Sequence, residues 1–192
     1  MVTTGEPIML DLLTRIRRTG LLTEATAKPD LRDDEVRHMH DRLQRVFGRA
    51  LRIRHVDAGS CNGCELEIQA LTNPYYNLEG AGLAFVASPR HADVLLVTGP
   101  VSVNMVEALR RTYDAMPNPK WVMAVGDCGA CGGVFGINYA SRGRVADVLP
   151  VDMTVPGCPP TPRALLQGLL LMASMPHSRS PFRTSRERTD PK

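Results

Sequence analysis

No apolar run in these 192 residues is long enough to cross a bilayer. The longest, Ala164 to Met175, is broken by Gln167 and Gly168 and falls short of the roughly 20 residues a spanning helix needs. Any membrane association is therefore expected to come through partners. The chain also lacks a secretory n-region and h-region, and its cysteines number only five. An odd, small count without a secretory signal argues against a disulfide framework and for a reducing compartment, where thiols stay free or bind metal. Lysine is nearly missing, at three against twenty arginines. The formal net charge of +3 is too small to imply nucleic acid, and the arginine excess reads as a solvated surface.

What is present is concentrated in three glycine-flanked stretches: Cys61-Asn62-Gly63-Cys64, Gly126-Asp127-Cys128 and Gly157-Cys158-Pro159-Pro160. Thiolates drawn from distant loops, with glycine or proline beside them so that backbone can crowd close, are what an iron–sulfur cluster asks of a protein.

The length and a hydrophobic content of 43% suit one domain with a real core and loosely attached ends. Ile8, Leu12, Leu13 and Ile16 predict a helix over 7–18, and Val36, Met39, Leu43, Val46 and Phe47 a second over 33–47. Residues 1–50 thus read as an N-terminal helical extension and linker. From Leu51 the pattern becomes short β-rich runs, at 52–56, 83–87, 94–97, 121–125 and 151–155, with helices expected at 65–72, 104–116 and 162–172. That alternation predicts an α/β domain over 51–176: a flavodoxin-like, doubly wound, mostly parallel sheet with helices on both faces. The basic tail, 177–192, is rich in serine, arginine and proline and is expected to stay disordered until something binds it.

Cys61, Cys64, Cys128 and Cys158 each follow a predicted strand. In an open parallel sheet the carboxyl ends of the strands share one edge, where ligands bind, so residues far apart in the chain can meet there. The metal is less constrained by pattern alone. Cys128-Gly-Ala-Cys131 is a second C-x-x-C, which leaves room for a zinc site or a thiol redox pair. The separation between Cys64 and Cys128, with two strands and a helix inside it, is unlike paired zinc knuckles. An iron–sulfur cluster is the better reading.

Gly59-Ser60-Cys61-Asn62-Gly63-Cys64-Glu65-Leu66-Glu67, Ser88-Pro89-Arg90-His91-Ala92-Asp93-Val94, Thr98-Gly99-Pro100, Gly126-Asp127-Cys128, Gly132-Gly133 and Gly157-Cys158-Pro159-Pro160 together resemble the small subunit of group 4 membrane-bound [NiFe] hydrogenases, of the formate hydrogenlyase and hydrogenase-4 type. The resemblance runs from about Arg52 to Met172. The related cluster-carrying subunit of respiratory NADH:quinone oxidoreductase, complex I, is similar throughout but has its first two cysteines adjacent; here Asn62 and Gly63 separate them.

The resemblance implies one [4Fe-4S] cluster held by Cys61, Cys64, Cys128 and Cys158, proximal to a nickel–iron site on a separate large subunit. It leaves Cys131 outside the ligand pattern, as a spare, buried thiol beside the Gly132-Gly133 turn. Glu67 resembles an acidic residue that the family places near the cluster and the partner, with a proton-path or interface role, although the helix dipole alone favours a first-turn glutamate. Arg90 and His91 are expected to face the cluster and raise its potential. Asp127 is expected to fix its loop through backbone N–H groups. The implied role is electron relay, with no hydrogen chemistry on this chain itself. The implied partners are the large subunit or its complex I homologue, a ferredoxin-like multi-cluster subunit and membrane subunits, on the cytoplasmic side of the membrane and without nucleic acid. The competing readings are the quinone-reducing counterpart from complex I and a zinc-stabilised binding module.

Overall fold

The computed structural model describes residues 50–173 together with Arg17, Arg18 and Asp41. These three are helical; the rest of the two predicted N-terminal helices and the basic tail lie outside the described residues.

Five strands form one wholly parallel sheet: β1 (Leu51–Asp57), β2 (Leu83–Phe85), β3 (Val94–Thr98), β4 (Trp121–Val125) and β5 (Met153–Val155), in the order β2-β1-β3-β4-β5. This is the flavodoxin-like doubly wound arrangement, with its switch point between β1 and β3. Every residue of β3 and β4 is buried, as their unbroken apolar runs require of central parallel strands covered on both sides. β1 shares its inward positions among Leu51, Ile53 and Val56 and leaves Arg52, Arg54 and His55 partly exposed.

The helices are α1 (Gly63–Ala70), α2 (Met105–Ala115), α3 (Gly126–Cys131) and α4 (Pro162–Ala173). Leu95 and Val97 of β3 and Val122 and Ala124 of β4 share a core with Leu109 of α2. Met123, one residue out of phase, points to the opposite face, where α4 lies so close that a Cβ on Gly168 would stand 2.6 Å from Val155 Cγ2. Helices therefore cover both faces, as alternation along a strand dictates. No helix among the described residues is long and apolar enough to cross a membrane.

Two strands are shorter than predicted. β2 stops at Phe85. β5 begins only at Met153, because Asp152 bonds Val122 with its carboxylate as well as its backbone: Asp152 Oδ2 accepts the Val122 N–H at 2.8 Å and Asp152 N–H donates to the Val122 carbonyl at 2.9 Å. α3 was not predicted at all, since Gly-Asp-Cys-Gly-Ala-Cys is poor in helix formers.

Candidate metal centre

Asp57, Thr98, Val125 and Val155 are register partners across the sheet, so the loops leaving β1, β3, β4 and β5 depart at one level. Cys61 lies in the first of these loops and Cys64 on the opening turn of α1; Cys128 lies on α3 after β4, and Cys158 follows β5.

Short-range chemistry holds each loop. Asp57 Oδ1 accepts the amides of Gly59 and Ser60 at 2.8 and 2.7 Å, and Ser60 Oγ accepts that of Asn62 at 3.1 Å. Burial would push the Asp57 carboxyl up, but the hydrogen bonds from Ser60 and Gly59 outweigh it and hold it below its usual range. The same loop crosses the exit of β3 so closely that a Cβ on Gly99 would meet Ser60 N at 2.5 Å; Gly99 also needs its φ of +76°. These two loops are packed backbone to backbone, which only glycine permits.

Glycine backbone also lies directly against sulfur. A Cβ would stand 2.7 Å from Cys64 Sγ at Gly126, 2.8 Å from Cys128 Sγ at Gly133, and 3.5 Å from Cys61 Sγ at Gly63. The four thiols are close enough to influence one another. Burial, then the neighbouring Glu65, Cys128, Cys61 and Cys158, pushes the Cys64 thiol up to about 12. Burial, then Cys158 and Cys61, pushes Cys128 up as well. Burial and crowding thus disfavour the thiolates of Cys64 and Cys128 unless positive charge offsets them, which is the electrostatic condition of a metal-thiolate site.

Among the described residues no three His, Cys, Asp or Glu side chains converge as one ion would require. A cluster of several irons holds its thiolates further apart than the roughly 2.3 Å bonds of a single tetrahedral zinc allow. Four thiols on one edge, three of them with glycine backbone against the sulfur, fit an iron–sulfur cluster and disfavour mononuclear zinc.

Other predicted residues fall differently. Cys131 is exposed, not buried as the sequence suggested, and its Sγ–H donates to the Asp127 carbonyl at 3.1 Å, one helical turn back. Glu67 is partly buried on α1, three residues past Cys64. Arg90 and His91 are not brought to the cysteines. They sit exposed on a 3-10 turn, Pro89–His91, that leads into β3; because Phe85 and Val94 are both level with Ile53, that turn lies at the amino edge, about 13 Å of strand from Thr98.

The sequence reading missed Glu65 and His55. Glu65 is 8% exposed, its two carboxylate oxygens have no hydrogen-bond partner, and Oε1 stands 3.8 Å from His55 Nε2. His55 Nε2 in turn lies 3.0 Å from Thr98 Oγ1. Burial lowers the His55 pKa, against Glu65 and Asp57, which raise it. A polar pair on an outwardly alternating strand and an acidic helix start leave no pattern that single residues could announce.

The chain matches the family described as NADH ubiquinone oxidoreductase, 20 Kd subunit, over residues 61–172. It is 45% identical over 129 residues to the probable membrane-bound hydrogenase subunit mbhJ of Pyrococcus furiosus, covering 67% of this chain and 77% of that protein. With formate hydrogenlyase subunit 7 of Escherichia coli it shares 40% over 153 residues, covering 78% of this chain and 60% of the relative. A subunit of the NADH-quinone oxidoreductase of Herpetosiphon aurantiacus is 49% identical over 108 residues, 56% of this chain and 60% of that one. Among solved structures, a chain of the archaeal membrane-bound sulfane sulfur reductase superposes with a TM-score of 0.57 at 31% identity, covering 72% of this chain and 76% of that one. The matched span begins at the first cysteine of the cradle and ends on α4. By fold and by these likenesses, the chain belongs to the family of the 20 Kd subunit of NADH ubiquinone oxidoreductase.

Proposed function

We propose that this chain is the electron-transfer subunit of a membrane-associated, energy-converting [NiFe] hydrogenase. Cys61, Cys64, Cys128 and Cys158 hold a single [4Fe-4S] cluster proximal to the nickel–iron site of a separate large subunit. The observation that carries the reading is the cradle itself: Cys61, Cys128 and Cys158 near enough to act on the Cys64 thiol, with Gly126 and Gly133 pressed against two of the sulfurs. When bound, such a cluster takes up and passes on single electrons. The chain's own residues hold it, orient it and limit the water around it.

Cys61 and Cys158 are exposed, so this domain alone covers the site from one side only. Beside it, the segment after α3 displays Val134 at 93% exposure, Ile137 at 79% and Tyr139 at 98%. That segment is anchored: Val101 N–H donates to Gly143 O, Arg142 N–H to Val101 O, and Val103 N–H to Ala140 O. A fixed apolar surface next to a half-covered site supports docking of the large subunit there. A ferredoxin-like multi-cluster subunit takes the electrons onward, and membrane subunits hold the assembly on the cytoplasmic side. Glu67 adjoins the exposed Leu66 on α1 and serves the interface or a proton path.

Purifying the complex with its large subunit tests the proposal. It should contain nickel and four irons per small subunit for the single cluster, and it should exchange electrons between hydrogen and a low-potential dye. The relatives from NADH-quinone oxidoreductases keep a second reading in play. A complex without nickel that reduces quinone would replace the first reading with that one.

A further inference from the structure

The β4–β5 register can be followed past its last strand residues. Met123, Ala124 and Val125 pair with Met153, Thr154 and Val155, a constant offset that, extended, sets Asp127 opposite Gly157 and Cys128 opposite Cys158. There Asp127 and Gly157 exchange two hydrogen bonds, a reciprocal pair that the slanted bonds of a parallel ladder do not themselves make. The Asp127 N–H donates to the Gly157 carbonyl at 2.9 Å, and its Oδ1 accepts the Gly157 N–H at 2.8 Å. The carboxylate stands in for a backbone carbonyl because the chain has already turned into α3 at Gly126, with φ +79°, and the Asp127 carbonyl accepts the Cys131 thiol instead.

The same substitution occurs where no ligand follows. Asp152 closes this ladder at its amino end against Val122, and Asp93 closes the β1–β3 ladder against Arg52, with Arg52 N–H donating to Oδ2 at 2.9 Å and Asp93 N–H to Arg52 O at 2.8 Å. Aspartate is thus this fold's way of adding one two-bond cross-link where the chain departs from the strand. At Asp127 alone the residues immediately beyond the cross-link are two of the four thiols, which belong to loops 30 residues apart in sequence.

We infer that Asp127 is a positioning residue that fixes Cys128 and Cys158 at their metal-holding separation, through the place of its acceptor oxygen and not through its charge. The inference rests on the proposed ligand set. Cys61 and Cys64, by contrast, are set by the local turn on Asp57. The site is therefore half built across loops and half within one.

Two substitutions separate oxygen position from charge. Asp127→Asn keeps Oδ1 in place and removes the charge; Asp127→Glu keeps the charge and moves the oxygen by one methylene. Full-length protein reconstituted with iron and sulfide is challenged with a chelator, and the reduced-state EPR spectrum and midpoint potential are recorded. Asp127→Asn should match wild type in iron retention and EPR line shape, whereas Asp127→Glu should retain iron on the order of tenfold less well and show an altered line shape. Asp152→Glu, the same device away from the thiols, should lower thermal stability and leave the spectrum unchanged. If Asp127→Glu behaves as wild type, or Asp127→Asn loses iron, or Asp152→Glu alters the spectrum equally, the inference is overturned. Cys158→Ala in the same series addresses the ligand set: full iron and an unchanged spectrum there would refute the reading beneath the inference, whatever the aspartate variants do.

Discussion

The backbone of Gly126 runs against the sulfur of Cys64, with only 2.7 Å between Sγ and the point where a Cβ would stand. Neither the sulfur nor the strand exit can give way without moving Cys64 or the Cys128 loop. Gly126 also adopts φ +79°, which costs an L-residue roughly 1–2 kcal/mol. Gly126→Ala should therefore lose most of its iron and melt at lower temperature. Gly129→Ala is the control: its Cβ would meet nothing nearer than Val97 O at 3.5 Å, so iron content should hold and the helix should gain slightly. Equal iron in both variants would contradict the cradle.

Ligand identity is decided by two alanines. Cys158→Ala should abolish the visible absorption and the EPR signal, and Cys131→Ala should leave both near wild type, since the Cys131 thiol is spent on the Asp127 carbonyl. The opposite pattern would place the fourth ligand at Cys131.

Acid stability has a defined sign at His55. Its folded pKa lies below the ordinary 6.5, chiefly through burial, so between that folded value and 6.5 the unfolded chain binds the extra proton. Stability is full above about 6.5 and falls as pH drops toward the folded pKa. Thermal melts from about pH 7.5 to about 5 should show this fall in wild type and a flatter profile in His55→Gln. Parallel profiles would refute it.

Docking can be probed without touching the site. Ile137→Asp and Tyr139→Ser place polar groups on the exposed apolar segment and should weaken co-purification with the proposed large subunit, each by about 1 kcal/mol or more if it lies at the interface centre. Iron content of the isolated chain should not change. Undiminished co-purification would move the interface elsewhere.

The sheet was legible because Val-Leu-Leu-Val-Thr and Trp-Val-Met-Ala-Val are too short for helices and almost wholly apolar, as central strands are, and the places of the cysteine loops followed from where those strands end. What the sequence hid was tertiary. Arg90 and His91 lie among the family motifs, yet their distance from the cysteines is set by how early β2 stops, which depends on pairing with β1 and not on local pattern. α3 is weak as a helix by propensity and forms because the exit of β4, the Gly157 cross-link and Val145 behind Gly129 leave the chain that path. Glu65 reads as an ordinary helix-start acid until burial shows both its oxygens without a partner.

The common level of Asp57, Thr98, Val125 and Val155 gives the domain an electrical front and back. The stretches that begin β2, β4 and β5, at 72–82, 117–120 and 147–152, all open on the other edge and carry no cysteine. A cluster held at the front would stand about 13 Å of strand from that edge, the rise of β3 from Val94 to Thr98. Immobilised on an electrode through a tag grafted into 72–82, the protein would present its cluster outward and exchange current with dissolved partners; adsorbed by the opposite edge, it would exchange with the metal instead.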